Sequence, residues 1–383
     1  MRTLEDLDVA GRRVLIRADF NVPLEKDGSG PARITDDSRI RAALPTLERL
    51  YELKAAKYVL LAHLGRPKGR DPEFSLAPVA TRLSELLKTE VALVDDPESV
   101  GDAEITLVEN VRFFEGETDD SAGLAKRYAA TADVYINDAF GAAHRAHAST
   151  HAVARELPSA AGLLLTKEVT TLTGLLQDPE RPVVAIVGGS KVSDKIGVLE
   201  RFLEIADTVV IGGAMCFPFF KAQGYDIGDS LCEADGVPLA EALLKSQNGG
   251  KLRLPTDLVA GRAFSADTET KAIAGVDVPS GWMGLDIGLQ TAAAYAEIIR
   301  AAKTAFWNGP MGAFELEPFA AGTRAVADAL TDVPASIVGG GDSVAAVMEF
   351  GMQDRYAHVS TGGGASLELI EGKTLPGVEV LSQ

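Results

Sequence analysis

Ten short apolar runs recur along this chain, and nearly every one ends in a polar or glycine-rich turn. In the first half they are Arg13–Asp19, Tyr58–His63, Val91–Asp95, Ile105–Glu109 and Val134–Asp138. In the second half they are Val183–Gly188, Thr208–Gly212, Thr304–Asn308, Ser336–Gly339 and His358–Thr361. Runs that are apolar throughout, rather than alternating, predict strands buried on both faces, which is the condition of a parallel sheet covered by helices. Helical patterns stand between them, as over Asp37–Lys54 and Leu76–Lys88. The alternation predicts an α/β fold: two doubly wound, Rossmann-like parallel-sheet lobes. Between the two sets, Leu165, Val169, Leu172 and Leu176 fall at helical spacing, and Pro179 and Pro182 follow as stop signals, so residues 163–178 are expected to form a helix joining the lobes. A length of 383 residues suits two domains better than one core.

Composition narrows the function. No apolar run approaches the length of a membrane span, and Met1–Ala10 carries acids rather than the basic and apolar stretch of a signal peptide. Cys216 and Cys232 show no metal-site spacing, and so few cysteines fit a reducing cytoplasm. The net charge of −18 argues against nucleic acid as a partner. The charge is uneven. Residues 1–150 hold 20 Lys+Arg against 26 Asp+Glu, a net of −6, which leaves −12 for the remainder; His63, His144 and His147 also lie in the first stretch. A chain this acidic that binds an anion must concentrate positive charge locally, and the first half is where it does so.

In open α/β sheets ligands bind beyond the carboxyl ends of the strands. In the first half those ends carry Asp19-Phe20-Asn21, His63-Leu64-Gly65-Arg66, Arg112 after Glu109-Asn110-Val111, and His144-Arg145 after Asn137-Asp138; Arg39 opens a helix behind Asp36-Asp37-Ser38. Arginine forks match phosphate and carboxylate oxygens two at a time. Arg39, Arg66, Arg112 and Arg145 with His63 would hold a small, highly charged anion, while Asp19 and Asn21 would orient the arginines or bond a hydroxyl. Zinc at the histidines lacks the cysteines or acids that would complete a site.

The second half has no GxxxxGK[ST]. It has instead Gly188-Gly189-Ser190-Lys191, Gly212-Gly213-Ala214, Gly339-Gly340-Gly341-Asp342-Ser343 and Gly362-Gly363-Gly364. Glycine lets backbone amides approach phosphate, and a helix start adds a favourable dipole. Lys191 and Lys195 would share one helix face and reach the phosphates; Asp342 is placed to hold Mg²⁺. Glu315, in the loop Asn308–Glu315, would bond ribose hydroxyls, and Trp282–Asp286, with Gly284, would line a slot for the base. A dinucleotide oxidoreductase would want GxGxxG in the first βα turn, where DFNVP stands; a catalytically silent binding protein would not need Lys195, Asp342 and Arg39 together.

The segments RADFNVP (17–23), HLGRP (63–67), ENVRF (109–113), NDAFGAAHRAH (137–147), GGSKVSDKI (188–196), GWMGLD (281–286), WNGPMGAFE (307–315), GGGDS (339–343) and STGGGASLELIEGKTLPGV (360–378) resemble the phosphoglycerate kinase family, in order and across essentially the whole chain. The resemblance implies two lobes with a cleft between them. Residues 1–165, joined by a returning tail 367–383, would bind 3-phosphoglycerate or 1,3-bisphosphoglycerate; residues 180–366 would bind ADP or ATP with Mg²⁺. It carries Asp19, Phe20, Asn21, Arg39, His63, Leu64, Gly65, Arg66, Arg112 and Arg145 to the substrate site. Lys191, Lys195, Gly213, Gly284, Glu315, Gly340, Gly341, Asp342 and Ser343 go to the nucleotide site, with Arg39 and Lys195 as catalytic charges and Asp342 as metal contact. A cytoplasmic monomer with small-molecule substrates, and with neither nucleic acid nor membrane as partner, is implied. Many relatives carry Thr where Ser343 stands and Gly where Ala214 stands; the first change keeps the hydroxyl, and the second crowds the pocket slightly.

Overall fold

The computed structural model describes residues 1–25 and 32–382. They fall into two compact units, Met1–Thr170 with Lys373–Gln383, and Thr171–Gly372. In the first unit six strands form one parallel sheet: β1 (Arg13–Arg17), β2 (Lys57–Leu61), β3 (Val91–Val94), β4 (Ile105–Val108), β5 (Val134–Asn137) and β6 (Ser159–Ala161), in the order β3-β4-β2-β1-β5-β6. The strand order reverses at β1, where a doubly wound sheet opens its crevice. Register carries this to the site: Arg17 lies opposite both Leu61 and Asn137, so the loops that follow β1, β2 and β5 leave the sheet at one level. Val14, Ile16, Leu60 and Ile136 form the core with Ile40, Leu47 and Leu50 of the helix Ser38–Glu52.

The second unit is built on β7 (Val183–Val187), β8 (Thr208–Ile211), β9 (Leu252–Arg253), β10 (Leu258–Gly261), β11 (Thr270–Ile273), β12 (Met283–Ile287), β13 (Thr304–Asn308), β14 (Ala335–Gly339) and β15 (His358–Val359). A six-stranded parallel sheet runs β9-β8-β7-β13-β14-β15, and β11-β10-β12 form a separate antiparallel sheet. Val187, Asn308 and Gly339 are level with one another, which sets three glycine turns side by side. The ten expected strands all form, with ends shifted by a residue or two. The antiparallel sheet and the short edge strands β6 and β9 were not foreseen. Ser159–Ala161 has no β-branched residue, and β10 to β12 are broken by glycine and by exposed Thr270 and Lys271, so neither gives a continuous apolar run.

The expected connecting helix forms as Leu163–Gln177. Its first turn is fixed by side chains of the first unit. Asp138 Oδ1 accepts from the amides of Leu164 (2.9 Å) and Leu165 (3.3 Å), and Thr46 Oγ1 accepts from Leu163 (2.9 Å). The first amides of a helix have no partner within it, and these bonds satisfy three of them. Gly162 is required beside them, since a Cβ there would lie 2.2 Å from Asp138 Oδ1.

Asp138 is fully buried, and burial pushes its carboxyl up to about 7, against an ordinary value near 4. Between those two pH values the folded chain holds a proton that the unfolded chain has released, so stability falls as pH rises through that window. Asp138→Asn keeps the accepting oxygen and removes the charge. Thermal melts should show it gaining on the parent as pH rises from about 5 to 8; a difference that does not vary with pH would contradict the assignment.

Candidate active site

In the first unit the expected residues converge. Asp19 is 3% exposed, and its Oδ2 accepts from Arg39 Nη1 at 2.8 Å. Burial opposes its charge, but the neighbouring cations, Arg39 foremost, outweigh that and hold the carboxyl below its ordinary range. Asn21 Oδ1 accepts from the Gly65 amide at 2.8 Å, tying the β1 loop to the β2 loop. Gly65 has φ +59°, and a Cβ on it would run into the Phe74 ring, so glycine is needed there. Arg112 Nη1 donates to the Gly65 carbonyl. Its guanidinium is lowered to about 10 by burial and by Arg145, Arg17 and Arg66. His63 is driven well below its ordinary value by burial and Arg17, with Arg112 and Arg39 adding to this and Asp19 opposing. These mutual influences show that the side chains share one electropositive site. Arg145 Nε donates to His144 Nε2 at 3.0 Å, and Arg66 is exposed.

Phe20 and Leu64 are buried in the hydrophobic core, so their side chains anchor the loops, and only their backbone atoms are left for a ligand. Three further residues belong to the cluster and were passed over. Arg17 is buried although it looks like an ordinary strand residue, His147 is lowered to about 4 by burial and then by Arg17, Arg112 and Arg145, and Glu117 lies beneath them. After its first residue β1 is buried on both faces, and Arg17 is its last residue, so the reading of β1 as an interior strand of a parallel sheet was the available signal.

In the second unit Lys195 Nζ donates to the carbonyls of Gly188 (2.6 Å) and Asn308 (3.2 Å) at the ends of β7 and β13. Burial lowers its ammonium to about 8, against the pull of Asp342 and Asp194. The expectation that Lys191 and Lys195 share a helix face is not met. Lys195 ends a single 3₁₀ turn, Ser193–Lys195, and the helix begins only at Ile196, so Lys191 lies outside it and is exposed. The turn is held by Glu233, whose oxygens accept from the Ser193 amide at 3.0 Å and from its hydroxyl. Gly213 has φ +66°, and a Cβ there would meet Gly189 backbone at 2.6 Å, so backbone of two turns meets without side chains between. Gly340 precedes the helix Gly341–Glu349, whose first turn carries exposed Asp342. Ser343 is buried, and its Oγ accepts from the Gly309 amide. Glu315 is exposed.

Trp282 does not line a free slot: Arg262 stacks on its ring at 4.2 Å and Lys271 lies 5.5 Å from it. Gly213, Phe217, Gly284, Leu285 and Met311 line a narrow gap of about 10 Å³ nearby, room for no more than one water molecule. Asp286 is a structural clamp, accepting from the amides of Gly322 (2.8 Å) and Ile287 (2.9 Å). Asn308 was left out of the expected site. Its side chain is 1% exposed, and among the described residues its Nδ2 has no hydrogen-bond partner, although it stands beside Gly340 among the glycine turns. Its place at a strand end in the Asn308–Glu315 loop was the signal.

Two α/β units on parallel sheets, one with an arginine-rich strand edge and one with glycine turns around a half-buried lysine and no P-loop, have the parts expected of a small-molecule phosphotransferase. Comparison with known proteins gives the family. The sequence model for phosphoglycerate kinase matches residues 4–373. The chain is 53% identical to the phosphoglycerate kinase of Moorella thermoacetica over 394 residues, covering 100% of this chain and 99% of that one. It is 49% identical to the cytosolic phosphoglycerate kinase of Triticum aestivum over 397 residues, covering 100% and 98%. Among solved structures, the phosphoglycerate kinase of Coxiella burnetii superposes with a TM-score of 0.89 at 43% identity, covering 100% of this chain and 98% of that one. That of Pyrococcus horikoshii gives 0.87 at 33%, with the same coverage. The chain belongs to the phosphoglycerate kinase family. It is a kinase of glycolysis that moves a phosphoryl group reversibly between 1,3-bisphosphoglycerate and ADP, giving 3-phosphoglycerate and ATP.

An ammonium lowered to about 8 is only partly protonated at pH 8, and a bound phosphate would draw the missing proton back. Calorimetric titration of ADP at pH 8, in buffers of different ionisation enthalpy, should therefore show proton uptake that Lys195→Met lacks. Equal heats in all buffers would separate Lys195 from the nucleotide.

Proposed function

We propose that the two half-reactions of substrate binding are divided between the units. Residues 1–165 with 367–383 hold phosphoglycerate, residues 180–366 hold the Mg-nucleotide, and the helix over 163–178 connects them. The observation that carries this is the convergence of Arg39, Arg112, Arg145 and His63, with Arg66, at one sheet edge of the first unit. Arg66, exposed and beside Gly65, is the natural grip on the remote phosphate. Asp19 holds Arg39 in place and Asn21 fixes the Gly65 turn.

In the second unit Lys191 reaches the nearer phosphates, and the amides at Gly213, Gly340 and Gly341 approach them as only glycine backbone can. The base packs against the chain at Gly213 and Gly284, and Glu315 bonds the ribose. Asp342 is an exposed carboxylate at a helix start, which suits Mg²⁺, an ion that commonly takes one or two carboxylates and completes its shell with phosphate oxygens and water. Mg²⁺ would supply charge neutralisation on the phosphates. Ser343, tied to Gly309, keeps that turn in shape.

The acceptor in the ATP-consuming direction is a carboxylate with an ordinary pKa of about 4, already ionised at neutral pH, so no general base is needed. Catalysis then rests on position and on neutralising the charge that develops on the moving phosphoryl group. Arg39 from the first unit and Lys195 from the second supply that charge, and the reaction requires the two half-sites to be brought together and water kept out of the acyl phosphate. We expect the chain to act as a monomer; a cytoplasmic place for it agrees with the cytosolic wheat relative and with two free cysteines, and among the described residues no helix is long and apolar enough to cross a membrane.

Steady-state kinetics on Arg39→Ala and Lys195→Ala test the division of labour. Each should lower kcat by at least about 100-fold, as loss of one preorganised electrostatic donor does, and the double variant should fall well short of the product of the two. Lys191→Ala should act mainly on nucleotide KM. Near-normal kcat in Lys195→Ala, with only a raised nucleotide KM, would make Lys195 a binding residue and move the catalytic charge elsewhere.

A further inference from the structure

His63 stands among the anion-binding arginines, yet a histidine can meet an anion in two ways: as a charged imidazolium or as a neutral ring with one N–H. A line of buried groups behind it decides between them. Arg17, the last residue of β1, is 1% exposed. Its Nη2 lies 3.1 Å from His63 Nδ1, its Nε donates to Ser149 Oγ at 2.9 Å, and its Nη1 donates to the Ala18 carbonyl. Ser149 is fully buried, and it passes the contact on: Oγ donates to Glu117 Oε1 at 2.5 Å, and its amide donates to Oε2 at 3.1 Å. Glu117 is 1% exposed and belongs to neither proposed half-site.

A guanidinium has donors and no acceptor. Facing Arg17, His63 Nδ1 must therefore offer its lone pair, and the ring's one proton sits on Nε2. The charged groups acting on the ring are Arg17 of β1, Asp19 after it, Arg39 of the helix Ser38–Glu52 and Arg112 after β4; three are cations, and only Asp19 favours imidazolium. The Ser149 hydroxyl fixes the roll of the Arg17 fork, because it must accept from Nε while donating to Glu117.

We infer that Glu117, Ser149 and Arg17 are positioning residues that hold His63 as the neutral Nε2–H tautomer, so that the anion site receives a fixed hydrogen-bond donor in place of a titrating charge. This rests on reading the first unit as the phosphoglycerate half-site. Arg17 also adds its own charge to the site, but the tautomer is set by its direction and not by charge alone. Lysine, a point charge without the fork, would not replace it.

Long-range ¹H–¹⁵N spectra of the histidine-labelled protein read the tautomer directly. In the parent, His63 should show a protonated Nε2 and an unprotonated Nδ1, unchanged between about pH 5 and pH 8. An imidazolium at neutral pH, or a proton on Nδ1, would overturn the inference without any variant being made. Ser149→Ala should give mixed tautomers at His63 and raise KM for 3-phosphoglycerate about tenfold, the scale of one hydrogen bond, with kcat and nucleotide KM little changed. Ser149→Thr, which keeps the hydroxyl, should restore both. An unaltered tautomer and KM in a folded Ser149→Ala would also overturn it. If 3-phosphoglycerate leaves every histidine resonance in place, the half-site reading itself fails; a wrong tautomer with intact binding defeats only the positioning claim.

Discussion

A buried guanidinium is the constraint around which the first unit is arranged. Arg17 has 1% of its surface exposed, and a cation taken out of water is destabilising unless it is paired and fully hydrogen-bonded. Its partners come from four separate stretches of chain: Ala18, His63, Ser149 and, through Ser149, Glu117. The same register that sets Arg17 opposite Leu61 and Asn137 brings the β2 and β5 loops within its reach. Around that fixed charge stand the exposed or half-exposed arginines 39, 66, 112 and 145, and Arg112 is lowered first by its burial and then by repulsion from Arg145, Arg17 and Arg66. An anion placed among such cations would relieve that repulsion, which favours a small, highly charged ligand without a deep apolar pocket.

The second unit is built by the opposite means. Its strand ends carry few cations and much bare backbone. At Gly213 a side chain would strike the next turn, and at Gly340 it would strike Asn308. The closeness of these turns leaves room for one buried ammonium, Lys195, bonded to the carbonyls at two strand ends. Lys195 thereby does two things, joining β7 to β13 and carrying a charge whose proton is loosely held. The unpartnered amide of Asn308 beside it is a donor in reserve.

Much of this was legible in the sequence, for physical reasons that differ by element. Strands such as Val183–Val187 and Thr304–Asn308 are buried on both faces and so appear as unbroken apolar runs, and parallel topology puts their following loops at one edge. That logic singled out His63 and Arg112, which the structure sets in one cluster with Arg39, and the Gly188 and Asn308 turns that Lys195 joins. It failed where the side chain faces inward against type: Arg17, Glu117 and Ser149 look like surface residues until the register places them beneath the site. It failed again at Lys191 and Lys195, because a 3₁₀ turn delays the helix and breaks the four-residue spacing. Trp282 illustrates a third failure, since nothing in GWMGLD announces that Arg262 and Lys271, distant in sequence, cover its ring.

The account stands on the claim that each unit completes its own ground-state site. Calorimetric titration of the intact chain with 3-phosphoglycerate alone, then with Mg-ADP alone, at low and at raised KCl, tests it most directly. Both ligands should bind in the absence of the other. Phosphoglycerate affinity should fall with salt, as screening of an arginine cluster requires, and Arg66→Ala should weaken it by roughly 1.5–3 kcal/mol while Mg-ADP binds as before. Phosphoglycerate that binds only when nucleotide is present, or an Arg66→Ala protein that binds it unchanged, would contradict the account.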